Sequence, residues 1–187
     1  MIDVCVITKN PKSELMLKCL KAIEEYIPYN KLIVVSEGTR GEARQKCIEA
    51  VTSEIFAFID DDVIVDESWY SGMMFWMKKL NAGAVTGVPD LKPKTDARRF
   101  LELLIREIDL NKLPQPINCL HTGSCLIRTE LVKDIQIPRW LQHREDLYIT
   151  EHIKAKGYEC YRVPIKFRHI AGGTWESLYA ENIANLR

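Results

Sequence analysis

Three consecutive aspartates, Asp60, Asp61 and Asp62, close the apolar run Ile55-Phe56-Ala57-Phe58-Ile59. β-Branched and aromatic residues bounded by charge read as a buried strand. In a parallel sheet such a strand delivers its last residues to the carboxyl edge, where ligands bind. Three carboxylates crowded there repel one another unless a cation neutralises them. Hard oxygen donors suit Mg²⁺ or Mn²⁺, and these ions recruit phosphate oxygens in turn. The strand end therefore asks for a divalent metal and a phosphorylated ligand. The plainer reading is a solvated acidic turn with Asp66 capping the next helix; capping accounts for one acid and not for the triplet.

The segments around this strand repeat one pattern. Ile2 to Thr8 reads as a strand, and residues 12–27 carry apolar positions at helical spacing (Met16, Cys19, Leu20, Ile23, Ile27) before Pro28 ends the helix. Lys31 to Ser36 is a second strand, Gly38 and Gly41 mark a loop, and Glu42 to Val51 is a short helix. After the aspartates, Asp66 opens a helix to about Leu80 that is apolar on most faces, which predicts burial between layers. Ala84 to Val88 is a fourth strand. The order βαβαβαβ predicts a parallel sheet with right-handed crossovers. The second half is less regular. A helix is expected near Asp96 to Leu110, a strand at Ser124 to Ile127 and a short helix capped by Thr129. A helix from Glu145 should end at Gly157, followed by closing strands at Tyr158 to Val163 and Lys166 to His169 and a last helix from Trp175.

The 187 residues fit one domain, with 47% hydrophobic residues to form a core. Acids and bases balance at 26 each, so no long-range field draws the chain to nucleic acid or anionic lipid. The six cysteines form no C-x-x-C pair and read as reduced thiols of a cytoplasmic protein. Cys119, His121 and Cys125 form a loose cluster that lacks a recognisable zinc spacing and a fourth ligand. No stretch is apolar for long enough to span a membrane.

Several segments occur in a specific order: Val4-Cys5-Val6-Ile7-Thr8, Ile33-Val34-Val35-Ser36-Glu37-Gly38, Ala43-Arg44-Gln45-Lys46-Cys47-Ile48, Phe58-Ile59-Asp60-Asp61-Asp62, Thr122-Gly123-Ser124-Cys125-Leu126-Ile127-Arg128 and Glu145-Asp146. This order resembles the family 2 type of nucleotide-diphospho-sugar glycosyltransferase, from residue 2 to about residue 170. The resemblance implies a single Rossmann-like three-layer α/β/α domain over residues 1–187, with a mostly parallel sheet. Residues 1–90 would form the nucleotide-binding half and 91–187 the donor-sugar and acceptor half. It implies a Mn²⁺- or Mg²⁺-dependent transfer of one sugar from a UDP- or GDP-linked donor to a glycan, lipid-linked or other hydroxyl acceptor.

The same resemblance implies residue roles. Asp62 would bind the metal, Asp60 would share the ion or face the ribose, and His169 would complete the metal site. Thr8, Glu37, Arg44, Asp61, Gly123 and Ser124 would contact the donor. Asp146 would be the base that takes the proton of the acceptor hydroxyl, opposite the leaving group, which implies inversion. The alternative to that last role is plain capping of a helix start. The chain departs from the family in several places. Ser36-Glu37 replaces an acid pair, and a customary strand between the second strand and the Arg44 helix is missing. No Q-x-x-R-W follows Asp146, which argues for single addition rather than polymerisation. Membrane helices of many relatives are absent, leaving a homo-oligomer or peripheral contact with the inner face of a membrane as the expected associations. Two readings outside the family stay open: an aspartate-nucleophile phosphotransferase or phosphatase, and a non-catalytic nucleotide-sugar-binding module.

Overall fold

The protein is described by a computed structural model, and residues 1–91 and 110–170 are described. The expected helices near 96–110 and from Trp175 fall outside the described residues or at their border.

The first half folds as the periodicity predicts. β1 (Ile2–Ile7) leads to α1 (Glu14–Tyr26), whose N-cap Ser13 accepts a hydrogen bond from the Met16 backbone N–H. β2 (Tyr29–Val35) leads to α2 (Arg40–Ala50), capped by Thr39 in the same way. The helix begins earlier than expected and takes in Gly41; the turn glycine is Gly38, at φ +92. β3 (Ile55–Asp60) ends at the first aspartate, and β4 (Val63–Ile64) follows as a short strand. α3 (Glu67–Lys79) is capped by Asp66, whose side chain accepts from the Ser68 N–H. Then come β5 (Ala84–Leu91), β6 (Gln115–Pro116), β7 (Ser124–Arg128), α4 (Glu145–Ala155) and β8 (Cys160–His169). Thr129 starts a single 3-10 turn without capping it; its hydroxyl donates to the Ser53 carbonyl instead.

The strands form one sheet in the order β2-β1-β3-β7-β5-β8-β4, with β6 also paired to β8. β2, β1, β3, β5 and β8 share one direction, while β7, β4 and β6 run against it. The sheet is thus mostly parallel, as expected, with β7 inserted antiparallel between β3 and β5. The two expected closing strands are one strand. Pro164 breaks the alternation at a bulge, where one residue of β5 (Gly87, between Thr86 and Val88) opposes three of β8 (Val163 to Ile165, between Arg162 and Lys166). Gly87 makes room for that bulge, since a Cβ there would lie 2.3 Å from the Ile165 carbonyl oxygen.

Alternation along the central strands builds a core on each face of the sheet. Val4, Val6, Ala57 and Ile59 point to the α1 and α3 side and meet Met16, Ile23, Trp69 and Met73. Cys5, Phe56 and Phe58 point to the α2 and α4 side and meet Cys47, Ile48, Ile149 and Ile153. Helix α3 buries only the stripe Trp69, Met73 and Met77, and leaves Phe75 exposed. The expectation of all-round burial therefore holds for one face of that helix. Parallel β1 and β3 bring Ile7 into register with Asp60, so the ends of β1, β2 and β3 meet at one edge.

Candidate functional site

At that edge lies a cavity of about 530 Å³, walled by Ile7 to Lys9 after β1, Val35 to Arg40 after β2, Ala43, Asp60 to Asp62, and Gln142 with His143. The volume falls in the range of small-molecule sites. Thr8, Glu37, Asp60, Asp61 and Asp62 stand together in its wall, as the sequence led one to expect.

The three aspartates have three different environments. Asp60 Oδ1 accepts from Arg44 Nη2 at 2.6 Å. Burial pushes the Asp60 carboxyl up, but the Arg44 and His121 charges and the Arg44 hydrogen bond outweigh it, so it titrates below the ordinary range. Asp61 accepts from the Thr8 hydroxyl. Its carboxyl is raised, first by burial and then by the charges of Asp62 and Asp60, against the opposing Thr8 hydrogen bond. Asp62 Oδ2 lies 3.1 Å from His169 Nε2, at the end of β8.

Arg44 lies under the cavity rather than in its wall. It is 1% exposed, stacks on the Phe58 ring at 4.4 Å and also reaches Thr122 Oγ1 at 3.3 Å. Arg44 is bonded to Asp60, while Arg40, one turn earlier, lines the cavity. The physical reason is helix phase: only residues on the first turn of α2 reach the strand-edge opening. Gly123 and Ser124 lie at the start of β7, outside the residues that wall the cavity. A Cβ on Gly123 would lie 2.7 Å from Asp60 Oδ2, so the glycine makes room for the aspartate. Ser124 is fully buried, its hydroxyl accepting from Trp69 Nε1 at 2.9 Å.

Asp146 opens α4 beside buried Glu145 and is half-buried. The Cys119 thiol hydrogen-bonds its carboxylate; although Cys119 reaches solvent, that thiol is pushed up to about 12 by burial, then by the Asp146 charge and hydrogen bond. Glu145 is raised by burial against the pull of Arg44 and Arg40. His121 packs against His169, with ring centroids 5.9 Å apart, and burial lowers its pKa. The loose Cys119–His121–Cys125 grouping of the sequence, which lacked a zinc spacing, has Cys125 buried within β7. Among the described residues no group of three or more His, Cys, Asp or Glu stands close enough to hold a metal alone. Sequence reasoning missed Arg40 and Gln142; the charge of Arg40 at a helix start after a strand was the available signal.

The fold is of the A-type glycosyltransferase kind, as its likeness to solved structures shows. The structure resembles GalNAc-T7 with UDP, GalNAc and Mn²⁺ at a TM-score of 0.63 and 13% identity, covering 91% of this chain and 44% of that one. It resembles S. aureus TarS 1-349 in complex with UDP at a TM-score of 0.66 and 13% identity, covering 96% and 63%. For TarS 1-349 with UDP-GlcNAc the values are 0.60, 14%, 94% and 60%. The chain thus spans about two-fifths to two-thirds of the length of these structures. No curated protein sequence matches it. The family model for glycosyl transferase family 2 matches residues 13–136, and the chain belongs to that family. Among the described residues no helix is long and apolar enough to cross a membrane.

Proposed function

We propose that the protein is a metal-dependent glycosyltransferase that moves one sugar from a nucleotide-diphosphate donor to an acceptor hydroxyl, with inversion and without polymerisation. The observation that carries this reading is the placement of Asp60 to Asp62 in the wall of a cavity that also joins the ends of β1 and β2. The UDP in the GalNAc-T7 and TarS structures makes UDP the first nucleotide to test. Thr8 and Glu37 face the nucleoside end, while Arg40 offers a cation to the diphosphate. Residues 1–90 form the nucleotide half in this reading, and the acceptor is approached from residues 91–187.

Asp62 and His169 are the residues that would hold Mn²⁺ or Mg²⁺. Their donor atoms, Asp62 Oδ2 and His169 Nε2, lie 3.1 Å apart in hydrogen-bond contact, and a carboxylate oxygen with an imidazole nitrogen is a donor set that Mn²⁺ would accept. A Mg²⁺-like ion keeps waters and takes phosphate oxygens, so two protein ligands suffice. The ion would supply positive charge to the departing diphosphate. Asp60 stays tied to Arg44 and orients the edge. Asp146, in the first turn of α4, accepts the acceptor proton. The aspartyl-phosphate alternative finds no support at Asp60, whose Oδ1 is engaged by a buried guanidinium.

Calorimetric titration of the full chain with UDP and GDP, in Mn²⁺ and then in excess EDTA, tests the reading. Binding that depends on the ion is the expected result. Absence of binding by both nucleotides in Mn²⁺ overturns it. Donor binding without transfer to any acceptor would instead favour a non-catalytic module.

A further inference from the structure

Resting on the reading of the cavity as a donor site, we propose that the Trp140 indole is a stacking platform for a saccharide ring of the acceptor. Trp140 is 76% exposed, more than any other aromatic side chain among the described residues. It occupies the tip of a tight turn, closed by the Leu141 N–H donating to the Pro138 carbonyl at 3.0 Å. Turn tips ordinarily carry glycine or small polar residues, because a large apolar ring there gains no burial.

The turn is held in place. The Gly41 N–H donates to the Leu141 carbonyl at 2.8 Å, and the Ile137 N–H donates to Gln45 Oε1 at 3.0 Å. The Thr39 hydroxyl donates to the Arg139 carbonyl. A Cβ on Gly41 would sit 2.8 Å from the Pro138 oxygen and 2.9 Å from the Leu141 oxygen, so turn and helix backbones lie in direct contact. The backbone that carries the indole is thereby fixed in place beside the first turn of α2.

Position selects the acceptor. Trp140 is outside the cavity wall, whereas Gln142 and His143, just after it, are part of that wall. The chain then enters α4 and Asp146. A donor that fills the cavity leaves the region beyond this rim to the molecule it reacts with. Chemistry selects a sugar. A pyranose presents an apolar C–H face that suits the negative face of an indole, and a polar edge that needs hydrogen bonds. Trp140 is flanked by exposed Arg139 and Gln142, which supply that edge. A lipid surface calls for a contiguous apolar patch, which a single ring between polar neighbours does not make.

The test uses the full chain with UDP and Mg²⁺ present, and saturation-transfer NMR on maltose, cellobiose and N,N′-diacetylchitobiose. At least one disaccharide is expected to bind through its C–H protons. Trp140→Ala should weaken that binding about 3- to 10-fold, Trp140→Phe should restore most of it, and Phe75→Ala should leave it unchanged. The UDP affinity of all variants, measured in parallel, should equal that of the unaltered protein. Absence of saccharide binding with UDP binding intact overturns this inference alone; absence of UDP binding in the unaltered protein overturns the donor reading beneath it. A loss of UDP affinity in Trp140→Ala would assign the ring to the nucleobase. Retained disaccharide binding with lost binding to phosphatidylglycerol vesicles would assign it to a membrane. Either result overturns the proposal.

Discussion

The two edges of the sheet use aspartate in opposite ways. At the amino edge, Asp3 of β1 is fully buried and surrounded by donors of the chain itself. It accepts from the Thr52 N–H at 2.5 Å, the Ser53 N–H at 3.0 Å, the Ser53 hydroxyl at 2.8 Å and the Thr52 hydroxyl at 3.3 Å. At the carboxyl edge, Asp60, Asp61 and Asp62 crowd together and draw on Arg44, Thr8 and His169 respectively. A carboxylate whose lone pairs are filled by its own fold serves stability. Carboxylates that share an edge and draw on one side-chain partner each keep lone pairs free, which the proposed function assigns to an ion and its phosphate. Residue type is the same in both places; only the local supply of donors differs.

Substitutions can break this contrast. The largest effect is expected at Asp146, where Asn should lower turnover about 10²- to 10⁴-fold in a donor-consumption assay while leaving UDP affinity unchanged. A retained rate would remove Asp146 from the chemistry. Next, Asp62→Ala should weaken Mn²⁺-dependent UDP binding by about a hundredfold, a loss of roughly 3 kcal/mol. Its urea midpoint should hardly move. Asp3→Ala is the mirror experiment. It should cost about 2–3 kcal/mol of folding stability by stranding the Thr52 and Ser53 donors, with nucleotide affinity preserved.

Acid should act on the amino edge in a predictable direction. Burial raises the Asp3 carboxyl, but the Thr52 and Ser53 hydrogen bonds outweigh it, so its folded-state pKa lies below its unfolded value. Its stabilisation is therefore complete above the unfolded pKa of about 4. That stabilisation is lost as pH falls through the lowered folded value. Asp3→Asn should flatten the acid limb of a stability-against-pH curve; an unchanged limb would mean that other carboxylates control it. The smallest effect is expected at Gly123→Ala, where the added methyl would press on Asp60 Oδ2 at 2.7 Å. A cost of about 1 kcal/mol in thermal melts, with a modest loss of UDP affinity, would tie that glycine to the carboxyl edge.

Much of the fold was legible in local pattern. Met16, Cys19 and Ile23 marked the buried stripe of α1, Asp66 capped α3 and Gly157 ended α4 in the left-handed region. These features depend on neighbours within a turn or two, so sequence spacing reports them. The insertion of β7 between β3 and β5 was not legible, because an apolar run carries no label for its direction or its partner. The unity of β8 was hidden by Pro164, which reads as a break until Gly87 on the facing strand is seen to receive the bulge.

The site divides along the same line. The acids at the end of β3, the hydroxyl at the end of β1 and the acid after β2 could be placed at one edge from strand order alone, since parallel strands bring their carboxyl ends together. The sequence by itself determined that edge and the kinds of side chain on it. Tertiary structure decided which of them face the cavity. It turned Arg44 and Ser124 inward, brought Arg40, Gln142 and His143 to the wall, and set His169 beside Asp62 across the sheet. The reason is that a side chain's orientation depends on helix phase and on contacts distant in the chain, and neither is written in the identity of the residue.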